Sequence, residues 1–241
     1  MQNYIKTIGA LAAASALVAG NAKAEVEYEI HTGYTSDYIW RGFDLGQDLI
    51  EAGVDVAGEW NGVGLSGGIW SAMYTLTDSD SLHLDTEEID FYAEASYDLG
   101  YMTAAVGYIY YYLPDVGPFS IADTQEIYFS IAKDWGWVDS SLTYYWDIEG
   151  ADNDGYTVLA LSRGFEISPC VTLQLGTSFA YTFEEEDFAD WNTKLALDWN
   201  FTETATISPF VAYSYNMSDD YETFTGADDN FYGGVMLSVS F

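Results

Sequence analysis

Residues 171–200 read VTLQLGTSFAYTFEEEDFADWNTKLALDWN, and this stretch decides the fold. In its first half Val171, Leu173, Leu175, Thr177, Phe179 and Tyr181 alternate with Thr172, Gln174, Gly176, Ser178 and Ala180. After the acidic run Glu184, Glu185, Glu186 and Asp187 the pattern returns: Trp191, Thr193, Leu195, Leu197 and Trp199 alternate with Asn192, Lys194, Ala196, Asp198 and Asn200. A period of two sends one set to one face of an extended strand and the other set to the opposite face. Strands of this length cross a bilayer at a tilt, and aromatic residues near their ends suit the membrane–water interfaces. The two strands therefore read as a hairpin of a transmembrane β-barrel.

The same alternation extends outward in both directions. Strands are expected at residues 26–35, 50–60, 63–74, 88–97, 101–112, 125–133, 138–147, 156–162, 171–181, 191–200 and 204–215, with a last one carrying Val235, Leu237, Val239 and Phe241 toward lipid. Asn61-Gly62 is the sharpest turn signal, because both residue types tolerate positive φ. Pro209 demands a bulge or an unpaired amide within its strand. The pattern predicts an all-β, antiparallel up-and-down barrel of 12 strands. Residues 156–162 are apolar on both faces, so a different reading there gives 10 or 14. Short connections at 61–62, 98–100, 134–137, 163–169 and 200–203 alternate with longer, acid-rich ones, including 36–47, 75–85 and 184–190. In a bacterial outer-membrane barrel that alternation puts both chain termini in the periplasm. Closure follows from the cost of an edge: unpaired amides and carbonyls in hydrocarbon cost several kcal/mol each. A water-soluble β-sandwich or barrel would show the same alternation with the apolar face buried, and it stays open as an alternative at this point.

Residues 1–24 have a different character. Lys6 gives a positive start, residues 8–19 form a short apolar core, and Ala22-Lys23-Ala24 offers small residues where a signal peptidase cuts. Cleavage before Glu25 leaves residues 25–241 as a single barrel domain. All 39 acids lie in that part, against Arg41, Lys133, Arg163 and Lys194, a formal charge of -35. Such a chain repels nucleic-acid phosphates and has no basic face for anionic lipid. Cys170 is the only cysteine, so no internal disulfide forms, and stability rests on strand pairing and burial. The partners implied are outer-membrane lipids and small solutes or cations, and outward aromatics suit either acyl chains or another subunit.

Projecting the strands puts Glu27, Glu29, His31, Glu51, Asp55, Glu59, Glu88, Asp90, Glu94, Glu126, Lys194 and Asp198 on the face away from lipid. Carboxylates are expensive in lipid but stay ionised in a hydrated lumen, where they attract countercations. An open lumen of this kind favours cations; a plugged one uses the same charges to solvate a narrow interior, with Tyr92, Tyr111 and Tyr145 among its filling. Arg41 stands with Tyr38 and Trp40 in the first long connection, and the pattern lets it turn inward to a carboxylate, either ordering the loop or constricting an opening. The two histidines carry a weak case for lipid hydrolysis: His31 has Glu29 and Glu27 beside it, but no serine stands out as a nucleophile. No cofactor motif appears. Asp78, Asp80 and Asp85, the Glu184 run, and Asp219, Asp220, Asp228 and Asp229 suit weak divalent-cation binding, without the spacing of a twelve-residue calcium loop.

Several blocks resemble a known family. Thr35-Ser36-Asp37-Tyr38-Ile39-Trp40-Arg41-Gly42, Trp70-Ser71, Glu88-Ile89-Asp90-Phe91-Tyr92, Tyr97-Asp98-Leu99-Gly100 and Gly107-Tyr108-Ile109-Tyr110-Tyr111-Tyr112-Leu113-Pro114 come first. Glu126-Ile127-Tyr128-Phe129 and Tyr144-Tyr145-Trp146-Asp147 follow in order. Together they resemble the TorF-like family of outer-membrane porins, a proteobacterial conserved hypothetical family, over about residues 32–165. The resemblance implies an outer-membrane barrel and transport, and it supplies no catalytic residue. Phe43-Asp44-Leu45-Gly46-Gln47 departs from the more polar continuation expected after Arg-Gly.

Overall fold

Period-two alternation resolves into twelve strands in the computed structural model, which describes residues 26–77, 83–114, 123–149, 155–217 and 229–241. The expected leader, together with Asp78, Asp80, Asp219, Asp220 and Asp228, lies outside the described residues. The strands are β1 (Glu27–Trp40), β2 (Phe43–Trp60), β3 (Val63–Thr77), β4 (His83–Asp98), β5 (Thr103–Tyr112) and β6 (Thr124–Asp134). They continue as β7 (Asp139–Asp147), β8 (Tyr156–Ser168), β9 (Val171–Thr182), β10 (Asp187–Asn200), β11 (Ala205–Asn216) and β12 (Asn230–Ser240). Each pairs antiparallel with its neighbours in sequence, and β1 pairs with β12 from Glu29↔Ser240 to Thr35↔Gly234, closing the cylinder. No strand edge is left for hydrocarbon, which is the requirement for a sheet in a membrane.

The outer surface has the composition of a lipid-facing belt. Leu195 and Leu237 are 41% and 37% exposed, so they point away from the barrel axis. A soluble β-protein would bury them; here Ile30, Val54, Ile69, Val106 and Val211 share their outward face. Exposed aromatic residues mark the strand ends: Trp60, Tyr97, Trp135 and Phe241 at the end carrying the termini, Trp146, Phe188, Trp191 and Phe231 at the other. Phe179 and Trp191 stack in parallel on adjacent strands, ring centroids 6.0 Å apart. The hairpin of residues 171–200 thus faces lipid as its pattern predicts.

Three connections differ from the sequence expectation. Residues 36–47 are not a long loop: β1 and β2 stay paired to their tips, through Asp37↔Gln47 and Trp40↔Phe43, and only Arg41-Gly42 turns the chain. Arg41 and Gly42 have φ of 52° and 83°, nearly those of Asn61 and Gly62 at 53° and 81°. The same tight turn is made twice, once with a residue that announces it and once with an arginine that does not. Residues 163–169 are mostly strand as well, since β8 follows β9 down to Ser168↔Val171. Residues 187–190 belong to β10, with a register shift between Phe188 and Trp191. Residues 163–168 and 187–188 are extended by the strongly patterned β9 beside them, whereas 37–40 and 43–47 pair with each other. Pro209 causes no register shift; the β10–β11 ladder is interrupted between Ala196↔Phe210 and Trp199↔Ile207, where the proline has no amide to donate.

Candidate functional site

The interior is built from inward side chains and from the far half of the β1–β2 hairpin. A register shift between Tyr38 and Ile39 leaves Leu45 as an extra residue on β2, and such a bulge bends and twists a strand pair. Just before it Tyr38 is buried, and Trp40 and Leu45 pack with Tyr38, Leu49, Trp70, Ala72 and Tyr74 in one apolar cluster inside the barrel. A second cluster holds Ile109, Tyr111, Tyr128, Tyr145, Tyr156, Ala180 and Ala189. Tyr92 packs against both. The fillers anticipated at Tyr92, Tyr111 and Tyr145 are in place.

Arg41 is the tip of the hairpin and reaches across the lumen to β6. Its guanidinium donates to Glu126 Oε2 at 2.7 Å. It lies over the rings of Trp40, Tyr145 and Tyr156 at 4.5, 4.9 and 4.5 Å from their centroids. Burial works against its charge, but the Glu126 carboxylate outweighs burial and pushes the Arg41 pKa up. Beside it Gly42 sits against β10, where a Cβ would come within 2.9 Å of the Asp190 Cβ. Arg41 thus turns inward to a carboxylate, and the ion pair with Glu126 ties the hairpin tip to β6.

Five inward acids are tied to an aromatic donor. Trp70 Nε1 donates to Glu51 at 2.6 Å, Tyr128 to Glu94 at 2.9 Å and Tyr111 to Glu126 at 2.8 Å, while Tyr92 donates to Asp55 and Tyr156 to Asp190. Asp198 accepts from Ser208 at 2.6 Å and from Gln174 at 3.0 Å, spanning three strands beside the ladder gap at Pro209. Lys194 sits inside with its Nζ 3.9 Å from the Phe210 ring centroid. Glu27 and Glu59 point inward by register but are exposed at the strand ends, so they form a rim and not a lining. Glu88 and Asp90, neighbours on the inner face of β4, are 4% and 2% exposed.

Near the end carrying the termini, His31 Nδ1 lies 3.1 Å from Asp55 Oδ2, and Ser240 donates to Glu29 at 2.9 Å. One ligand atom from each of Glu29, His31 and Asp55 falls within 4.8 Å of the others, a set able to coordinate a cation weakly. The His31 ring needs Gly53 beside it, since a Cβ there would lie 2.3 Å from Nε2. Asp190 was assigned by pattern to a loop; the bulge preceding Trp191 turns it into the barrel. The aromatic donors Trp70, Tyr128 and Tyr156 were missed too, although their even spacing with the inward acids of their own or adjacent strands was the available signal.

The comparisons with known proteins agree with this architecture. Residues 19–235 match the family model described as a bacterial protein of unknown function (Gcw_chp). The chain belongs to that family. No curated protein matches. Among solved structures, an outer membrane channel from Pseudomonas putida F1 superposes with a TM-score of 0.57 at 12% identity, over 92% of this chain and 97% of that one. The KdgM porin superposes with a TM-score of 0.51 at 10% identity, over 89% of this chain and 99% of that one. A second structure of that porin, in complex with disordered oligogalacturonate, gives 0.50 at 11% identity, over 89% and 99%. At these identities the likeness is one of fold, an outer-membrane β-barrel resembling those of porins and channels.

Proposed function

We propose that the protein is an outer-membrane channel for small hydrophilic solutes or ions, with an acidic lumen that favours cations and a neck formed by the Arg41 hairpin. The observation that carries this reading is the inner wall itself. Glu51, Asp55, Glu88, Asp90, Glu94 and Glu126 face inward, against Arg41 and Lys194. Carboxylates outnumber bases there, and a low-dielectric surround strengthens their field on a passing ion. The TorF-like porin resemblance supports the same transport role. In this reading residues 1–24 are removed, both termini are periplasmic, and lipid surrounds the belt. The oligogalacturonate of the KdgM complex is a polyanion, and the lumen proposed here repels such a ligand.

Purified protein in a planar bilayer is expected to give conductance steps, and a KCl gradient a reversal potential of cation-preferring sign. Charge reversal at Glu51, Asp55 and Glu94 together is expected to shift that potential toward the anion side; an unchanged potential counts against the acidic lumen. A second reading, a closed structural or adhesion barrel, is favoured by the two aromatic clusters that fill the interior. Folded protein that stays electrically silent, even with the hairpin tip removed, decides for it.

A further inference from the structure

The inward acids divide into two kinds. Glu51, Asp55, Glu94, Glu126 and Asp190 each accept from an aromatic N–H or O–H, and Glu126 has Arg41 as well. Glu88 and Asp90 have neither. They stand two residues apart on one face of β4, nearly fully buried, with their carboxyl groups adjoining. Among the described residues Asp90 Oδ1 accepts no hydrogen bond. The hydroxyl of Tyr38, 3% exposed, is directed at this pair from the inserted hairpin but falls short of hydrogen-bond geometry, and it too has no partner. Ala72 separates Glu51 from Glu88 in the cross-strand register.

Two adjoining carboxylates in a dry interior cannot both remain ionised without a counterion, and an orphaned buried oxygen costs free energy. The geometry points to a buried divalent-cation site, Ca²⁺ or Mg²⁺, formed by the carboxylates of Glu88 and Asp90 and the hydroxyl of Tyr38. The donor set consists of oxygen alone, the preference of hard cations, and its two negative charges match a divalent ion. Because Tyr38 comes from the bent hairpin and the two acids from the barrel wall, the ion ties the hairpin to the wall. The site goes beyond the channel reading: it holds whether or not the barrel carries current.

The test is a Tb³⁺ titration of full-length protein folded in detergent, in about 0.15 M KCl to screen the surface acids, with excitation of the aromatic rings. Trp70 and Tyr74 lie beside Tyr38, at ring-centroid distances of 6.0 and 4.9 Å, and sensitise an ion held there. A saturable luminescence that Ca²⁺ displaces is expected, and Asp90→Asn or Glu88→Gln is expected to weaken it at least about tenfold. Glu203→Gln, exposed in the turn between β10 and β11, is expected to leave it unchanged. Added Ca²⁺ should raise the unfolding temperature of the parent protein but not of Asp90→Asn. Equal titrations in parent and both variants would trace the signal to surface acids and overturn the site. So would a protonated-carboxyl infrared band that Asp90→Asn removes and Ca²⁺ leaves unchanged, since a shared proton would then occupy the place of the ion.

Discussion

The charge balance of the interior turns on single residues, and Arg41 is the one with most attached to it. It is a non-glycine residue at positive φ, a conformation that costs about 1–2 kcal/mol, so its contacts with Glu126 and three aromatic rings must more than offset that strain. Arg41→Gln is expected to destabilise the folded barrel by about 3–5 kcal/mol, because Glu126 is left buried without its base. The double variant Arg41→Gln with Glu126→Gln should recover part of that loss, as read by urea unfolding in detergent. Asp198 acts locally in a different way: its carboxylate bridges Ser208 and Gln174 beside the ladder gap at Pro209. Asp198→Ala is expected to cost about 1–3 kcal/mol in the same measurement, leaving Ser208 and Gln174 without their acceptor. At this scale parity gave the facing of the acids inside the regular strands, but not that of Asp190, which a bulge turns into the barrel. It did not show which acid pairs with Arg41, because Glu126 is 85 residues away and meets it only across the lumen.

Among the elements, the β1–β2 hairpin separates into two functional parts. Below the bulge, Glu27 to Thr35 pairs with Leu49 to Ala57 as barrel wall; above it the hairpin enters the lumen. Removing residues 39–44 together with Glu126→Gln, so that no buried carboxylate loses its base, is therefore expected to leave a folded twelve-stranded barrel while raising single-channel conductance several-fold, measured in planar bilayers. The β5–β6 connection carries a smaller device. Asp123 accepts from the Tyr110 hydroxyl and the Leu113 amide, and these donors hold its carboxyl below the usual carboxylate range. A depressed folded pKa means that this contribution is present above the ordinary aspartate pKa and is lost as pH falls through the lowered one. Asp123→Asn should remove that acid-dependent component, detectable as a flatter profile of unfolding midpoint below the ordinary aspartate range. Alternation predicted the existence of these strands well, but it understated their length. A segment such as Ser36 to Gln47, with Asp, Arg and Gly in it, has no clear period, and its strand character comes from the partner it folds against.

For the whole molecule, the outward faces decide where the protein resides. Leu195→Arg places a charge in the middle of the lipid belt and is expected to cost about 2–4 kcal/mol, seen as slower and less complete folding into lipid vesicles, whereas the inward Ala196→Ser should have little effect. Period two, the lipid-facing set and the acid-bearing inner face were determined by the sequence, because each follows from local alternation and from the cost of leaving a sheet edge or a charge in hydrocarbon; of the 12, 10 or 14 strands that the alternation allowed, the closed barrel has twelve. The inward bend of the first hairpin, the Arg41–Glu126 pair, the aromatic donors on the acids and the orphaned oxygens of Asp90 and Tyr38 were decided only by the tertiary structure. Those depend on which residues face one another across a closed cylinder, and that distance is fixed by strand count and register together, not by any stretch of chain read alone.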